Sequence, residues 1–174
     1  GGGQCITFHL LQDRRHINDR DARLLRETVR TKLNMEMSLA EEIVQVALSI
    51  RPDQASLVPE NRQEVTTEGG LDAIGQAERL REVTAALQDA GVVVSAFIDP
   101  DPAQVAAARQ AGCDAVEIHT GRYANAWLLH GSDGRDEQVH AALDEIAAAL
   151  SAGQEGELIV HGGHGLTYDN IQQV

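Results

Sequence analysis

One pattern constrains this chain more than any other. A short apolar run is followed by a stretch with helical periodicity, and the unit then repeats. The apolar runs are Cys5–Leu10, Leu33–Met37, Ala55–Val58, Val92–Ile98, Ala115–Ile118 and Leu158–His161. They are rich in Val, Ile, Leu and Phe, as strands covered on both faces should be. Alternation with helices predicts an α/β protein on a parallel sheet. The helical stretches carry their own punctuation. Asp19 is placed to cap a helix through Leu24, Leu25 and Val29, and Ser38 with Glu41 makes a capping-box pattern. Asp101 followed by Pro102 is an N-cap with proline at the first helical position. Gly91 and Gly112 each end a helix and lead straight into the next strand.

Two architectures satisfy that pattern: an open doubly wound sheet, or part of a (β/α)8 barrel. The first strand is not followed by the G-x-G-x-x-G of dinucleotide-binding folds. A complete barrel takes about 250 residues and eight strands, and this chain has 174 residues. That length suits a single domain over residues 1–174 with a sizeable core. Gly1 to Gly3 read as a tag, a loop or a truncation edge.

A net charge of -13 argues against nucleic acid or an anionic membrane surface as partner. No apolar run reaches the roughly 18 residues of a membrane span. Cys5 and Cys113 are too few and too far apart for a disulfide framework or a metal knuckle. Both are expected to be buried small hydrophobes in a reducing, cytoplasmic setting.

In βα proteins the loops after the strands carry the chemistry. Strand alternation puts Thr7 and His9 on one face of the first strand, opposite Ile6, Phe8 and Leu10. Asn34 and Glu36 share a face of the second, and Glu117 and His119 a face of the fifth. The sixth runs into "HGGHGLT", with His164 between glycines and a helix expected from Thr167. Two histidines, His9 and His164, and two carboxylates, Glu36 and Glu117, therefore stand at the C-terminal ends of four strands. In a barrel those ends open into one mouth. Histidine exchanges protons near neutral pH, and burial tunes a glutamate upward to do the same. Gly163 and Gly165 would let a ligand approach the backbone, with the following helix N-terminus favouring an anion.

Taken singly, each residue has a plainer reading, as a hydrogen-bonded structural histidine, a solvated carboxylate or half of an ion pair. His130 and His140 read as surface residues. His9, His119, His161 and His164 include no pair with helical metal-ligand spacing, and no metal site is expected.

The segments "HLLQDRRHINDRD", "NMEM", "VPENRQEVTTEGGLD", "FIDPD", "EIHTGRYA" and "GHGLTYDN" occur in order and nearly without gaps. Together they closely resemble the pyridoxine 5'-phosphate synthase family of the deoxyxylulose-dependent vitamin B6 pathway, from about Ile6 to the end. The resemblance implies a TIM barrel, with this chain supplying the second through seventh strands. The family's first strand, with its Asn-x-Asp-His segment, and its eighth, with a Gly-His phosphate turn, have no counterpart here. It implies condensation of 1-deoxy-D-xylulose 5-phosphate with 3-amino-2-oxopropyl phosphate, without metal or organic cofactor, in a homo-octamer. Carried over by position, His9 and Glu36 match general bases, His164 the general acid and Glu117 a transition-state-stabilising carboxylate. His16 and Thr66 match contacts to the deoxyxylulose phosphate, and Gly165 a contact to the amino-oxopropyl phosphate.

Two departures stand out. The family pattern H-L-R-E-D-R-R-H-I has an arginine where this chain has Leu11, and a glutamate where it has Gln12. A lost guanidinium removes a charge-assisted contact of roughly 1.5–3 kcal/mol. Asn-Ala often precedes Gly-His in the family, where His161 and Gly162 stand here. Because the first-strand residues and the second phosphate loop have no counterpart here, the isolated chain is expected to be inactive. The alternative is a degenerate, non-catalytic homologue that binds a phosphorylated metabolite or assembles with partners. A sugar-phosphate isomerase on the same fold is disfavoured by the specificity of the motif string.

Overall fold

The computed structural model describes residues 4–61, 69–130 and 136–174. Along the chain run β1 (Cys5–Leu10), α1 (Asp19–Thr28), β2 (Lys32–Met37), α2 (Glu41–Ile50), β3 (Gln54–Leu57) and α3 (Ala77–Asp89). They are followed by β4 (Val93–Ile98), α4 (Pro102–Gln110), β5 (Ala115–His119), α5 (Gly121–His130), α6 (Glu137–Glu155) and β6 (Ile159–Gly163). The predicted strands are all present, with ends shifted by a residue or two.

The six strands form one sheet in the order β1-β2-β3-β4-β5-β6. Every neighbouring pair is parallel. Each strand lies beside its predecessor, so the order never reverses. A doubly wound sheet requires such a reversal at its switch point, and that architecture is ruled out. This is the winding of a TIM-barrel wall. Among the described residues β1 and β6 do not pair with each other.

The alternation read from the strands separates two faces. Phe8, Leu10, Leu33, Met35, Met37, Leu57, Ile98, Val116 and Ile118 are buried in one core with helix residues such as Ile43, Leu80, Val105 and Val139. The opposite face carries Thr7, His9, Asn34, Glu36, Ser56, Ser95, Glu117 and His119. Ile6 departs from the predicted pattern. It shares a face with Phe8 and Leu10, yet stays exposed near the start of the edge strand.

The predicted cap at Asp101 forms, with its carboxylate accepting from the Ala103 N–H at 2.8 Å. Gly91 and Gly112 adopt φ of +82° and +89° and end their helices as expected. Two other caps differ. Asn18, not Asp19, caps α1, and Asp21 completes the capping box; Asp19 instead pairs with Arg14 at 3.0 Å. Ser38 does not cap α2, whose N-cap is Ala40 without a side-chain bond. Its hydroxyl is diverted to the Glu60 carboxylate, a better acceptor in a buried setting.

No α-helix begins at Thr167. The Asn170 amide closes a turn, accepting from the Thr167 N–H at 2.6 Å and donating to the Gly165 carbonyl at 3.1 Å, and only the short 3-10 turn Ile171–Gln173 follows. Cys113 is buried as expected, but Cys5 is exposed, because it opens the edge strand.

Candidate active site

Sheet register brings the strand-end residues into rows. His9 pairs with Glu36, and Glu36 with Ser56. One step higher, Phe97 pairs with Glu117 and Glu117 with His161. At the top His119 pairs with Gly163. Neighbouring parallel strands lie about 4.8 Å apart, so these side chains converge. His9, Glu36, Glu117 and His164 line one cavity of about 390 Å³, together with Ser56, Val58, Pro59, Gly69 and Phe97.

The Glu117 carboxylate, while lining this cavity, also lies close against the backbone of β6 at Gly163. A Cβ on Gly163 would lie 2.1 Å from its Oε1 and 3.1 Å from its carboxyl carbon. Gly163 therefore leaves room for a side chain, where the sequence suggested a ligand. Burial pushes the Glu117 carboxyl above the usual range, and the Glu36 charge adds to the effect. His161 and His164 pull in the opposite direction. Glu117 thus holds a proton at higher pH than a solvated carboxylate does.

His164 has φ of +83°, which an L residue rarely adopts. Its loop is tied at both ends. Thr120 reaches the Gly163 and His164 carbonyls, while the buried Tyr123 hydroxyl donates to the Asn170 carbonyl at 2.6 Å. Gly165, next in the chain, has φ of +78° and packs near Ala124.

A second, smaller cleft of about 190 Å³ adjoins the first and shares His9 with it. Leu11, Asp13, Arg15, His16 and Ile17 complete its lining. His16 thus lies near His9, and Leu11 presents an apolar surface in the same cleft. Thr66 lies outside the described residues. Arg14 is structural. It pairs with Asp19 at 3.0 Å and Glu42 at 3.3 Å, and donates to the Gln12 carbonyl at 3.1 Å. Gln12 itself donates its N–H to Glu60 and its amide to Glu42, both at 2.9 Å.

A family model for "Pyridoxal phosphate biosynthesis protein PdxJ" matches residues 1–174. The chain belongs to this family. The pyridoxine 5'-phosphate synthase of Synechococcus sp. (strain JA-2-3B'a(2-13)) is 54% identical over 173 residues, which are 99% of this chain and 70% of that protein. The pyridoxine 5'-phosphate synthase of Trichlorobacter lovleyi is 50% identical over 170 residues, 98% of this chain and 68% of that protein. PdxJ-family membership makes the chain a member of a family of biosynthetic enzymes. Among solved structures, the deoxyribose phosphate aldolase of Aeropyrum pernix superposes with a TM-score of 0.51 at 13% identity. That match covers 98% of this chain and 80% of the aldolase, and it supports the fold alone.

Among the described residues no helix is long and apolar enough to cross a membrane. No group of three His, Cys, Asp or Glu residues there is arranged to hold a metal ion.

Sequence reading gave no role to several residues of this PdxJ-family site. Ser56, Pro59 and Phe97 line the cavity; Pro59 and Phe97 fall within the quoted motifs without a role assigned, and nothing local marks Ser56. His119 shares its strand face with Glu117, as alternation predicted, but it is only 7% exposed and packs beside His164. Burial lowers its pKa first, the His164 charge adds to that, and Asp99 at 3.6 Å acts against both.

Proposed function

We propose that this site condenses 1-deoxy-D-xylulose 5-phosphate with 3-amino-2-oxopropyl phosphate to pyridoxine 5'-phosphate by general acid–base catalysis. The supporting observation is the meeting of His9, Glu36, Glu117 and His164 in one cavity. Amine addition to a ketone, dehydration, enolisation and ring closure each move protons. Several acids and bases must therefore face one small volume.

In this reading His9 and Glu36 act as general bases and His164 as the general acid. Glu117, whose proton is retained to higher pH by burial, offers in its protonated form a hydrogen bond to oxygen atoms that gain charge as bonds rearrange. The Glu36 charge adds to the burial that disfavours ionisation of Glu117. His16 and Thr66 contact the deoxyxylulose phosphate and Gly165 the amino-oxopropyl phosphate. The six strands are consecutive strands of an eight-stranded barrel.

The experiment is a product assay on the full-length protein with both substrates. Glu36→Gln and His164→Asn should each lower kcat by roughly 10²–10⁴-fold, with circular dichroism unchanged. Wild-type turnover in either variant would refute the assignment.

A second reading is favoured by Leu11. It occupies the cleft beside His16, where the family pattern has an arginine. A protein lacking that cation would bind a phosphorylated metabolite weakly or without turnover. Leu11→Arg separates the two readings. Equal kcat/KM with Leu and Arg removes the case for degeneracy, whereas activity gained only with Arg supports it.

A further inference from the structure

Two buried residues at the end of β5 have no part in the reactions above, and both touch the loop carrying His164. Thr120 is fully buried. Its N–H donates to the Gly163 carbonyl at 2.9 Å. Its hydroxyl lies 2.7 Å from the carbonyl oxygens of both Gly163 and His164. A hydroxyl has a single proton to donate, so the two carbonyls share it and the peptide between them is held from one point.

That peptide needs holding. His164 sits at φ +83° without being glycine, and such a conformation persists only when its surroundings over-determine it. The second contact is lateral. The His119 ring lies 4.7 Å from the His164 ring, centroid to centroid, tilted by 45°. A Cβ on Gly121 would fall 2.8 Å from His119 and 3.3 Å from His164, so glycine alone allows the two rings this approach. Phe97 braces His119 edge-on at 5.1 Å. Among the described residues the buried His119 Nδ1 has no hydrogen-bond partner, and Asp99 stands 3.6 Å from it. The ring of His119, rather than a hydrogen bond from it, is therefore what His164 meets.

We infer that Thr120 and His119 are positioning residues for His164. The Thr120 hydroxyl locks the His164 peptide in its left-handed conformation, and the His119 ring aims the His164 imidazole into the cavity shared with His9, Glu36 and Glu117. This inference rests on the reading of His164 as the general acid.

The test uses the full-length protein and two readouts, steady-state kinetics and the imidazole resonances of His164 in a ¹⁵N-histidine spectrum. Thr120→Val keeps the shape and removes the donor, while Thr120→Ser keeps the donor. Thr120→Val should lower kcat roughly 10- to 100-fold, as misplacement of a catalytic group does, with KM within about twofold. It should also shift or broaden the His164 resonances, and Thr120→Ser should restore both. His119→Phe, which keeps a ring, should leave the His164 resonances near wild type, whereas His119→Ala should move them.

Wild-type kcat and unmoved His164 resonances in Thr120→Val would overturn the inference. Equal His164 spectra for His119→Phe and His119→Ala would remove the part played by the ring. If Thr120→Val does not fold, the two His119 variants and Thr120→Ser still decide, and a serine variant with displaced His164 resonances counts against the idea. If the wild-type protein makes no pyridoxine 5'-phosphate, the functional reading fails by itself, and the resonances still answer the positioning question.

Discussion

Gly163 shows how one missing atom shapes the site. Its Cα faces the Glu117 carboxylate so closely that a methyl group would stand 2.1 Å from Oε1. Gly163→Ala is expected to expel Glu117 from its place and cut kcat, while thermal stability changes much less. A Gly163→Ala enzyme with unaltered turnover would show that the carboxylate need not lie there. Glu117 also leaves a trace in stability. Its folded pKa is raised, chiefly by burial, from the ordinary 4.5. The folded state thus binds more protons than the unfolded state above that value. Its contribution is complete below pH 4.5 and is lost as pH rises through the folded pKa. Glu117→Gln removes this loss, so its advantage in melting temperature over wild type should grow from pH 5 to pH 8. A difference independent of pH would contradict the raised pKa.

At the level of elements, the same device is used twice to set the starts of strands. Asp53 precedes β3 and Asp114 precedes β5. Each donates its N–H to the neighbouring strand and accepts that strand's N–H on its carboxylate. Asp53 does so with Leu33 at 2.9 Å in both directions, and Asp114 with Val94 at 2.9 and 2.8 Å. Arg26 adds an ion pair to Asp53 at 2.9 Å. Asp114→Ala leaves the Val94 N–H without its carboxylate and should cost about 1–3 kcal/mol in urea unfolding. A loss below a few tenths would show that water replaces the bond.

The Leu33 N–H, ahead of Arg26, holds the Asp53 carboxyl below its usual 3.8. Its contribution is therefore present above pH 3.8 and disappears as pH falls through the folded pKa. Neither clamp is visible in the sequence, because each joins residues 20 positions apart. The caps fared unevenly for a related reason. Asp101-Pro102 is a local signal and formed as read, whereas Ser38 lost its hydroxyl to Glu60, 22 residues away.

On the scale of the whole molecule, the sheet is an arc with two outer edges. Among the described residues β1 and β6 have no strand on their far sides, and unpaired strand edges invite association. Exposed apolar residues accompany them, Ile6 at 44% on β1 and Ile159 at 56% on β6. A polypeptide of these 174 residues alone is expected to self-associate with concentration in size-exclusion chromatography. It should make no pyridoxine 5'-phosphate above a blank without enzyme. Product above that blank would show that the arc is sufficient for the chemistry.

Apolar periodicity by itself determined the strands, their alternation with helices, and the faces of His9, Glu36, Glu117 and His119. These follow from rules that act over a few residues. The motif string likewise carried the family. Tertiary structure decided the singly wound order, the meeting of Glu36 with Glu117, the approach of Glu117 to Gly163 and the seating of His164 against His119 and Thr120. Those depend on distances between strands far apart in sequence, and neither the proximity of two charges nor the space left by a missing Cβ is written in any local pattern.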